Sequence, residues 1–301
     1  LVQIRELAQS ILDEEYAVLA PVEHPGQVRR EDVLAGYAAF LRSLVDLSGC
    51  RPLKVVIDAG NGMAGHTVPA VLGDGAGLGA LPLEIVPLYF ELDGTFPNHE
   101  ANPLDPANLV DLQDAVRREG ADLGLAFDGD ADRCFVVDEH GDPVSPSAIT
   151  ALVACREIAR EVDTGLSAGD VRIVHNVITS RVVEEEVLAA GAEPVRTRVG
   201  HSFIKDEMAR SGAVFGGEHS AHYYFREFWF ADTGMLAAMH VLAALGESDR
   251  PLSDLGGHFD RYAASGEINS TVEQAVAATA AVRDWAEATH GPLEVDTLDG
   301  M

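Results

Sequence analysis

The sequence predicts an α/β protein of consecutive domains, each a mixed, mostly parallel sheet flanked by helices. Three observations predict it. Apolar runs of strand length, such as L-K-V-V-I-D (Leu53 to Asp58) and L-E-I-V-P-L-Y-F (Leu83 to Phe90), alternate with stretches of helical period, which is the βαβ pattern. The alternation starts again after Pro143 to Ser147, so one α/β unit follows another. With 301 residues, 47% hydrophobic and 23% charged, the chain is long enough for two or three such units of ordinary size.

In chain order, Leu1, Ile4, Leu7 and Ile11 recur at helical spacing, P-V-E-H-P-G-Q-V (Pro21 to Val28) reads as a linker, and a second amphipathic helix covers about Glu31 to Asp46. The first unit continues with the strand Leu53 to Asp58, a helix after Gly65, the strand Leu83 to Phe90, a helix over Asn108 to Arg118 and a strand from Asp122 to Phe127. The second has helices over Ser147 to Glu161, Ser180 to Ala190, Ser202 to Arg210 and Asp232 to Leu245, with strands at Val171 to His175, Pro194 to Arg198 and Ala213 to Phe215. From Arg261 a short strand and the helix Glu273 to Ala288 open a further segment.

The formal net charge of −28 excludes nucleic acid and anionic membrane surfaces as partners, because both need a basic footprint. Cys50, Cys134 and Cys155 are odd in number and far apart, so neither a disulfide framework nor a zinc site is indicated, and a reduced cytoplasm fits. The amphipathic, acid-bearing N-terminus is unlike a signal peptide, and the longest apolar helix candidate, Gly234 to Leu245, is too short to span a bilayer.

L-G-L-A-F-D-G-D-A-D-R-C-F-V-V-D (Leu123 to Asp138) places Asp128, Asp130 and Asp132 at alternate positions between two apolar strands, where open α/β sheets hold their ligands. Carboxylates this close repel one another, and a cation relieves the repulsion. Three such oxygens leave about half of an octahedral Mg²⁺ shell for water and a phosphate oxygen; the plain alternative is a solvated acidic turn. A calcium EF-hand is excluded, since its sixth position is Arg133 instead of glycine and its flanks are strands. A dehalogenase-type phosphatase, with Asp128 as nucleophile and Asp130 as acid/base, stays open. Arg133 offers a fork of donors to phosphate oxygens, or a salt bridge to a neighbouring aspartate.

G-G-E-H-S-A-H-Y-Y-F (Gly216 to Phe225) aligns Glu218, Ser220 and His222 on one side of an extended loop, a mixture of donors and acceptors suited to sugar hydroxyls or to capping its own backbone. His219 points the other way and reads as structural. R-T-R-V-G-H-S-F-I-K (Arg196 to Lys205) gathers Arg196, Arg198, His201 and Lys205 at a helix start, either an anion site or a capped surface helix. D-A-G-N-G-M-A-G (Asp58 to Gly65) lacks the endings of a nucleotide loop and reads as a tight strand-to-helix turn.

Together with F-P-N-H-E-A-N-P (Phe96 to Pro103), these stretches resemble the α-D-phosphohexomutase family, in its bacterial phosphomannomutase/phosphoglucomutase branch. The resemblance implies a Mg²⁺-dependent enzyme that interconverts hexose 6-phosphate and hexose 1-phosphate through a phosphoserine and a hexose 1,6-bisphosphate. It implies Asp128, Asp130 and Asp132 as metal ligands, Arg133, His201 and His222 as catalytic residues, and Glu218, Ser220, His222 and Lys205 as substrate contacts. It divides the chain into the tail of a phosphoserine domain (1–30), a second domain with the metal loop (31–145), a third with the sugar loop (146–258) and the start of a phosphate-binding domain (259–301). Hexose phosphates are the implied partners, and a homodimer is compatible with the resemblance. His219 after Glu218, and the final histidine of the loop, favour mannose phosphate with glucose phosphate also accepted. The family's serine motif, like T-A-S-H-N-P, and its distal-phosphate motif R-x-S-N-T-E-P do not occur in the sequence. The expectation is a piece of a longer enzyme, inactive alone, with a sugar-phosphate-binding pseudoenzyme as the alternative.

Overall fold

The computed structural model describes residues 2–13, 24, 26–264, 266, 268, 270–292 and 295–299. It falls into two units, Leu1–Val33 and Leu34–Met301. The first contains helix α1 (Val2–Asp13). Of the linker reading at Pro21 to Val28, residues 21–23 and 25 lie outside the described residues.

The second unit holds two sheets of the same plan. After α2 (Leu34–Leu44) come β1 (Leu53–Asp58), α3 (Ala64–Val71), β2 (Leu83–Leu88), α4 (Val110–Glu119), β3 (Leu123–Phe127), β4 (Cys134–Val137) and β5 (Pro143–Val144). Their order in the sheet is β2-β1-β3-β4-β5, with β1 parallel to β2 and β3, then β4 and β5 antiparallel. The second series is α5 (Pro146–Asp163), β6 (Arg172–Asn176), α6 (Arg181–Ala189), β7 (Glu193–Thr197), α7 (His201–Ser211), β8 (Phe215–Gly217), β9 (Tyr223–Phe225), β10 (Ala231–Asp232), α8 (Gly234–Gly246), α9 (Leu252–Phe259) and α10 (Ala275–His290). Its sheet runs β7-β6-β8-β9-β10, the first order repeated. The mixed sheets of the sequence reading are therefore present, and the third strand of each turns back through a short hairpin.

The strand cores explain themselves. β1 and β3 are apolar and buried along nearly their whole length, as strands covered on both faces must be. α8 is apolar all round and buried almost throughout, which is why it reads as a core helix. One apolar cluster runs from Ala38 to Leu252 through both sheets, and a smaller one, with Val174, Ile204, Met208, Ala213 and Tyr224, lies under α7.

Four readings need correction. Asp232 does not begin a helix: it pairs with Tyr224 in β10, and Thr233, extended at φ −158°, caps α8 through its hydroxyl. The strand read at Ala213 to Phe215 lies at Phe215–Gly217, because it must register against Ile173 to His175 of β6. No strand occurs among the described residues after Arg261, while α9 was not anticipated. The two-residue strands β5 and β10 carry no periodicity and could not have been read.

Candidate active site

The chain after β3 meets a short hairpin, and Asp128, 3% exposed, is its first residue. A backbone bond from Ala131 N to Asp128 O closes the turn, and Ala131 is forced to φ 65°, strained for a residue with a Cβ. Asp128 then accepts the Arg133 backbone N–H at 3.0 Å on Oδ1 and its Nε at 2.7 Å on Oδ2. The salt bridge weighed for Arg133 is thus formed, while its Nη1 reaches Asn102 Oδ1 at 3.4 Å. Asp128 so clamped is a poor nucleophile, which counts against the dehalogenase-type alternative.

Asp128, Asp130 and Asp132 each bring a carboxylate oxygen within 4.8 Å of the others. Asp130 is exposed and Asp132 half-buried. Burial, together with the neighbouring Asp128 charge, pushes the Asp132 carboxyl up to about 6. A divalent cation would reverse that. All donors are hard oxygens, the set that suits Mg²⁺, Mn²⁺ or Ca²⁺ and not a softer metal, so the residues present fit the ion.

The loop rests on the D-A-G-N-G-M-A-G turn. Met63 N donates to Gly129 O at 2.9 Å, and a Cβ on Gly62 would stand 2.6 Å from the same oxygen. A Cβ on Gly65 would meet Phe90 O at 2.2 Å. These glycines permit close backbone approach, which bears out the turn reading and gives it a purpose. His99 from the F-P-N-H-E-A-N-P stretch bonds Asp58 Oδ2 at 3.0 Å, and Asn98 bonds Asn61 Oδ1 at 2.8 Å, tying the two motifs together. The Asp58 bond raises the His99 imidazole to about 9.

The second loop occupies the equivalent hairpin, between β8 and β9. It closes in the same way, with Ala221 N on Glu218 O and Ala221 at φ 66°. Arg133 and His222 pair across the two loops in an antiparallel bridge, and His222 Nδ1 lies 3.7 Å from Asp132 Oδ1. The hydroxyl of half-buried Ser220 makes no hydrogen bond among the described residues. His219 turns away and bonds Ser147 Oγ at 2.9 Å, a structural role.

Glu218 stands differently from its expected role. It is 2% exposed, and its oxygens already accept from Asn176 Nδ2 at 2.8 Å and from Tyr224 OH at 2.7 Å. Burial, then the Glu218 charge, drives the Tyr224 phenol far above its ordinary value, so it remains a donor. Glu218 is an anchor of the loop here, because burying a carboxylate demands that its lone pairs be met. Asn176 and Tyr224 were not singled out; neither carries a spacing signal.

Of the basic stretch, only part reaches the site. Arg196 and Arg198 pair with Asp296 and Asp299, and Arg198 also lies 4.7 Å from the Phe203 ring centre. The start of α7 is met by the chain's own carboxylates, Val199 N donating to Asp299 at 2.9 Å and Gly200 N to Glu218 at 3.4 Å. His201 and Lys205 instead turn toward Asp232. Lys205 Nζ is 2.7 Å from Asp232 Oδ1, and Asp232 Oδ2 is 3.0 Å from His222 Nδ1 and 3.5 Å from His201 Nδ1. The His201 and His222 rings lie 4.6 Å apart. Burial would raise the Asp232 carboxyl, but the hydrogen bonds from His222 and Lys205 outweigh it and hold Asp232 well below the usual carboxylate range. Burial would likewise lower His222, yet Asp232 and Asp132 raise it overall. Asp232 was missed as a site residue because the sequence places it at a helix start.

The site therefore joins a cluster of hard oxygen donors to a cationic and hydroxyl-bearing loop, a combination suited to an anionic polyol. Comparison with known proteins agrees. The model of phosphoglucomutase/phosphomannomutase alpha/beta/alpha domain II matches residues 35–141, and that of domain III matches residues 146–262. A phosphomannomutase of Escherichia coli (strain K12) is 37% identical over 277 residues, 92% of this chain and 59% of that protein. Phosphohexose mutases of Xanthomonas campestris pv. campestris are 40% identical over 266 residues, 88% of this chain and 56% of theirs. The crystal structure of a phosphoglucomutase/phosphomannomutase family protein from Burkholderia thailandensis superimposes with a TM-score of 0.71 at 31% identity, covering 85% of this chain and 52% of that one. The chain thus spans less than two thirds of the length of these relatives. With both domain models in sequence and both hairpin loops in place, the chain belongs to the phosphoglucomutase/phosphomannomutase family.

Proposed function

We propose that this chain carries the metal- and sugar-binding part of a phosphohexomutase, which interconverts hexose 6-phosphate and hexose 1-phosphate through a hexose 1,6-bisphosphate. Mannose phosphate is the preferred substrate and glucose phosphate is also accepted. The observation that carries this reading is the bridge between Arg133 and His222, which sets the aspartate loop against the sugar loop.

In this reading Asp128, Asp130 and Asp132 hold Mg²⁺, which supplies neutralisation of the charge on the transferring phosphoryl group. Arg133 donates to the phosphoryl oxygens with the guanidinium edge that Asp128 leaves open. Lys205 adds a second cation for phosphate, and Ser220 and His222 bond the sugar hydroxyls. Glu218 joins them by exchanging its Tyr224 or Asn176 bond for a sugar hydroxyl. In the transfer the phosphoryl group leaves a phosphoserine of the intact protein for a sugar hydroxyl. The hydroxyl proton passes to an imidazole, His222 or His201, and the serine oxygen regains a proton as it leaves. The second transfer runs in reverse from the other end of the sugar. A cytoplasmic setting belongs to the same reading, supported by the free thiols of Cys50, Cys134 and Cys155 and by the lack, among the described residues, of any helix long and apolar enough to cross a membrane.

The test uses the protein from its native source, with mannose 1-phosphate, Mg²⁺ and a trace of hexose 1,6-bisphosphate. Mannose 6-phosphate is expected to accumulate without release of inorganic phosphate, and a chelator is expected to stop it. Stoichiometric phosphate release, lost in Asp128→Asn, would instead establish a phosphatase. Binding of hexose phosphate without turnover would establish a non-catalytic binding protein.

A further inference from the structure

We infer that Asp232 is the positioning residue of this site, its carboxylate holding His222 by Nδ1 and Lys205 by Nζ so that His222 meets a bound sugar phosphate with Nε2. The inference rests on the mutase reading for its catalytic consequence, but not for its geometry.

Asp232 is placed by backbone and not by its partners. It pairs with Tyr224 in the β9–β10 ladder, and Thr233 N donates to Tyr223 O at 3.0 Å. Immediately after it, the start of α8 is pressed against the β3–β4 hairpin, where a Cβ on Gly234 would stand 2.5 Å from Arg133 O. The side chain of Asp232 is 7% exposed, so the carboxylate has little freedom to swing away.

Its two oxygens are divided between two elements. Oδ1 accepts from Lys205 on α7 at 2.7 Å, and Oδ2 accepts from His222 Nδ1 at 3.0 Å. A carboxylate on one ring nitrogen fixes the imidazole in the tautomer that carries its proton there. Nε2 is then the one ring atom free to exchange a proton with a sugar hydroxyl. Two other carboxylates act on His222: Glu218, whose oxygens are already taken by Asn176 and Tyr224, and Asp132 at 3.7 Å, which belongs to the aspartate loop and whose charge is committed when a cation is present. Asp232 is the anchor that does not compete with the metal. The arrangement repeats the logic by which a buried aspartate orients a catalytic histidine in hydrolytic triads.

Asp232→Asn keeps the shape and removes the charge. In the protein from its native source, nitrogen-15 spectra of labelled histidine, taken where His222 is neutral, are expected to show the Nδ1–H tautomer in wild type and its loss in Asp232→Asn. In mutase assays, kcat of that variant is expected to fall about 10- to 100-fold, the usual cost of removing a residue that orients a ligand or base, with a smaller change in KM. Asp232→Glu, which restores the charge, is expected to recover part of the loss. An unchanged tautomer in Asp232→Asn, or unchanged kcat with the tautomer lost, overturns the proposal. A wild-type protein that shows the tautomer switch but no mutase activity would sink the mutase reading while leaving the anchoring by Asp232 in place.

Discussion

Asp130 is the most useful single residue at which to probe the aspartate loop, because it is exposed and makes no hydrogen bond within the described residues, unlike Asp128, which also holds Arg133. Asp130→Asn is therefore expected to leave cation-free stability within about 0.5 kcal/mol, as surface substitutions do, and to abolish most of the rise in melting temperature that Mg²⁺ gives the parent. A Mg²⁺ response equal to the parent's would remove Asp130 from the ligand set. Gly62 makes the opposite case: it has no side chain to offer a cation, yet a methyl there would collide with Gly129 O at 2.6 Å. Gly62→Ala should cost about 1–3 kcal/mol through overpacking and should weaken Mg²⁺ binding as the loop shifts, both readable in one thermal titration with and without the ion.

Among the elements, the turn after β1 and the stretch from Phe96 to Pro103 are joined by the Asp58–His99 pair. The pair raises His99 from 6.5 to about 9, so protonated His99 stabilises the fold. That contribution is complete below pH 6.5 and is lost as pH rises through about 9. His99→Gln should flatten this part of the pH–stability curve, measured by denaturant unfolding; a curve parallel to the parent's from neutral to alkaline pH would rule the pair out as a stabilising contact. In the second sheet, Tyr224→Phe removes one of the two strong donors to buried Glu218. A hydrogen bond to a charged group contributes about 1.5–3 kcal/mol, and a loss of that size is expected, with a weakened affinity for hexose phosphate as the loop loosens.

For the whole molecule, charge dominates. A net charge of −28 over 301 residues is self-repelling, and salt screens it with a Debye length of about 10 Å at 0.1 M. Melting temperature should rise with sodium chloride from low to moderate ionic strength; a flat response would mean that local ion pairs already balance the field. The same fold plan used twice has a further consequence. The aspartate loop and the Glu218–His222 loop are the same hairpin of the same sheet order, each closed by an alanine in the left-handed region, Ala131 and Ala221. Gly234 and the Arg133–His222 bridge then bring the two copies face to face.

What the sequence determined by itself was the α/β alternation, its restart near residue 145, and the alternating polar residues that the loops at Asp128 to Arg133 and Glu218 to His222 present, because strand hydrophobicity and alternate polar positions are local signals. It also supplied the residue types of the basic stretch, but not their partners. Tertiary structure decided that Arg196 and Arg198 go to Asp296 and Asp299, that Glu218 is sealed by Asn176 and Tyr224, and that Asp232 gathers His222, His201 and Lys205. Each of these joins side chains from different elements or loops of the fold, and the energy that selects them comes from burial and charge pairing across the fold, which no spacing along the chain encodes.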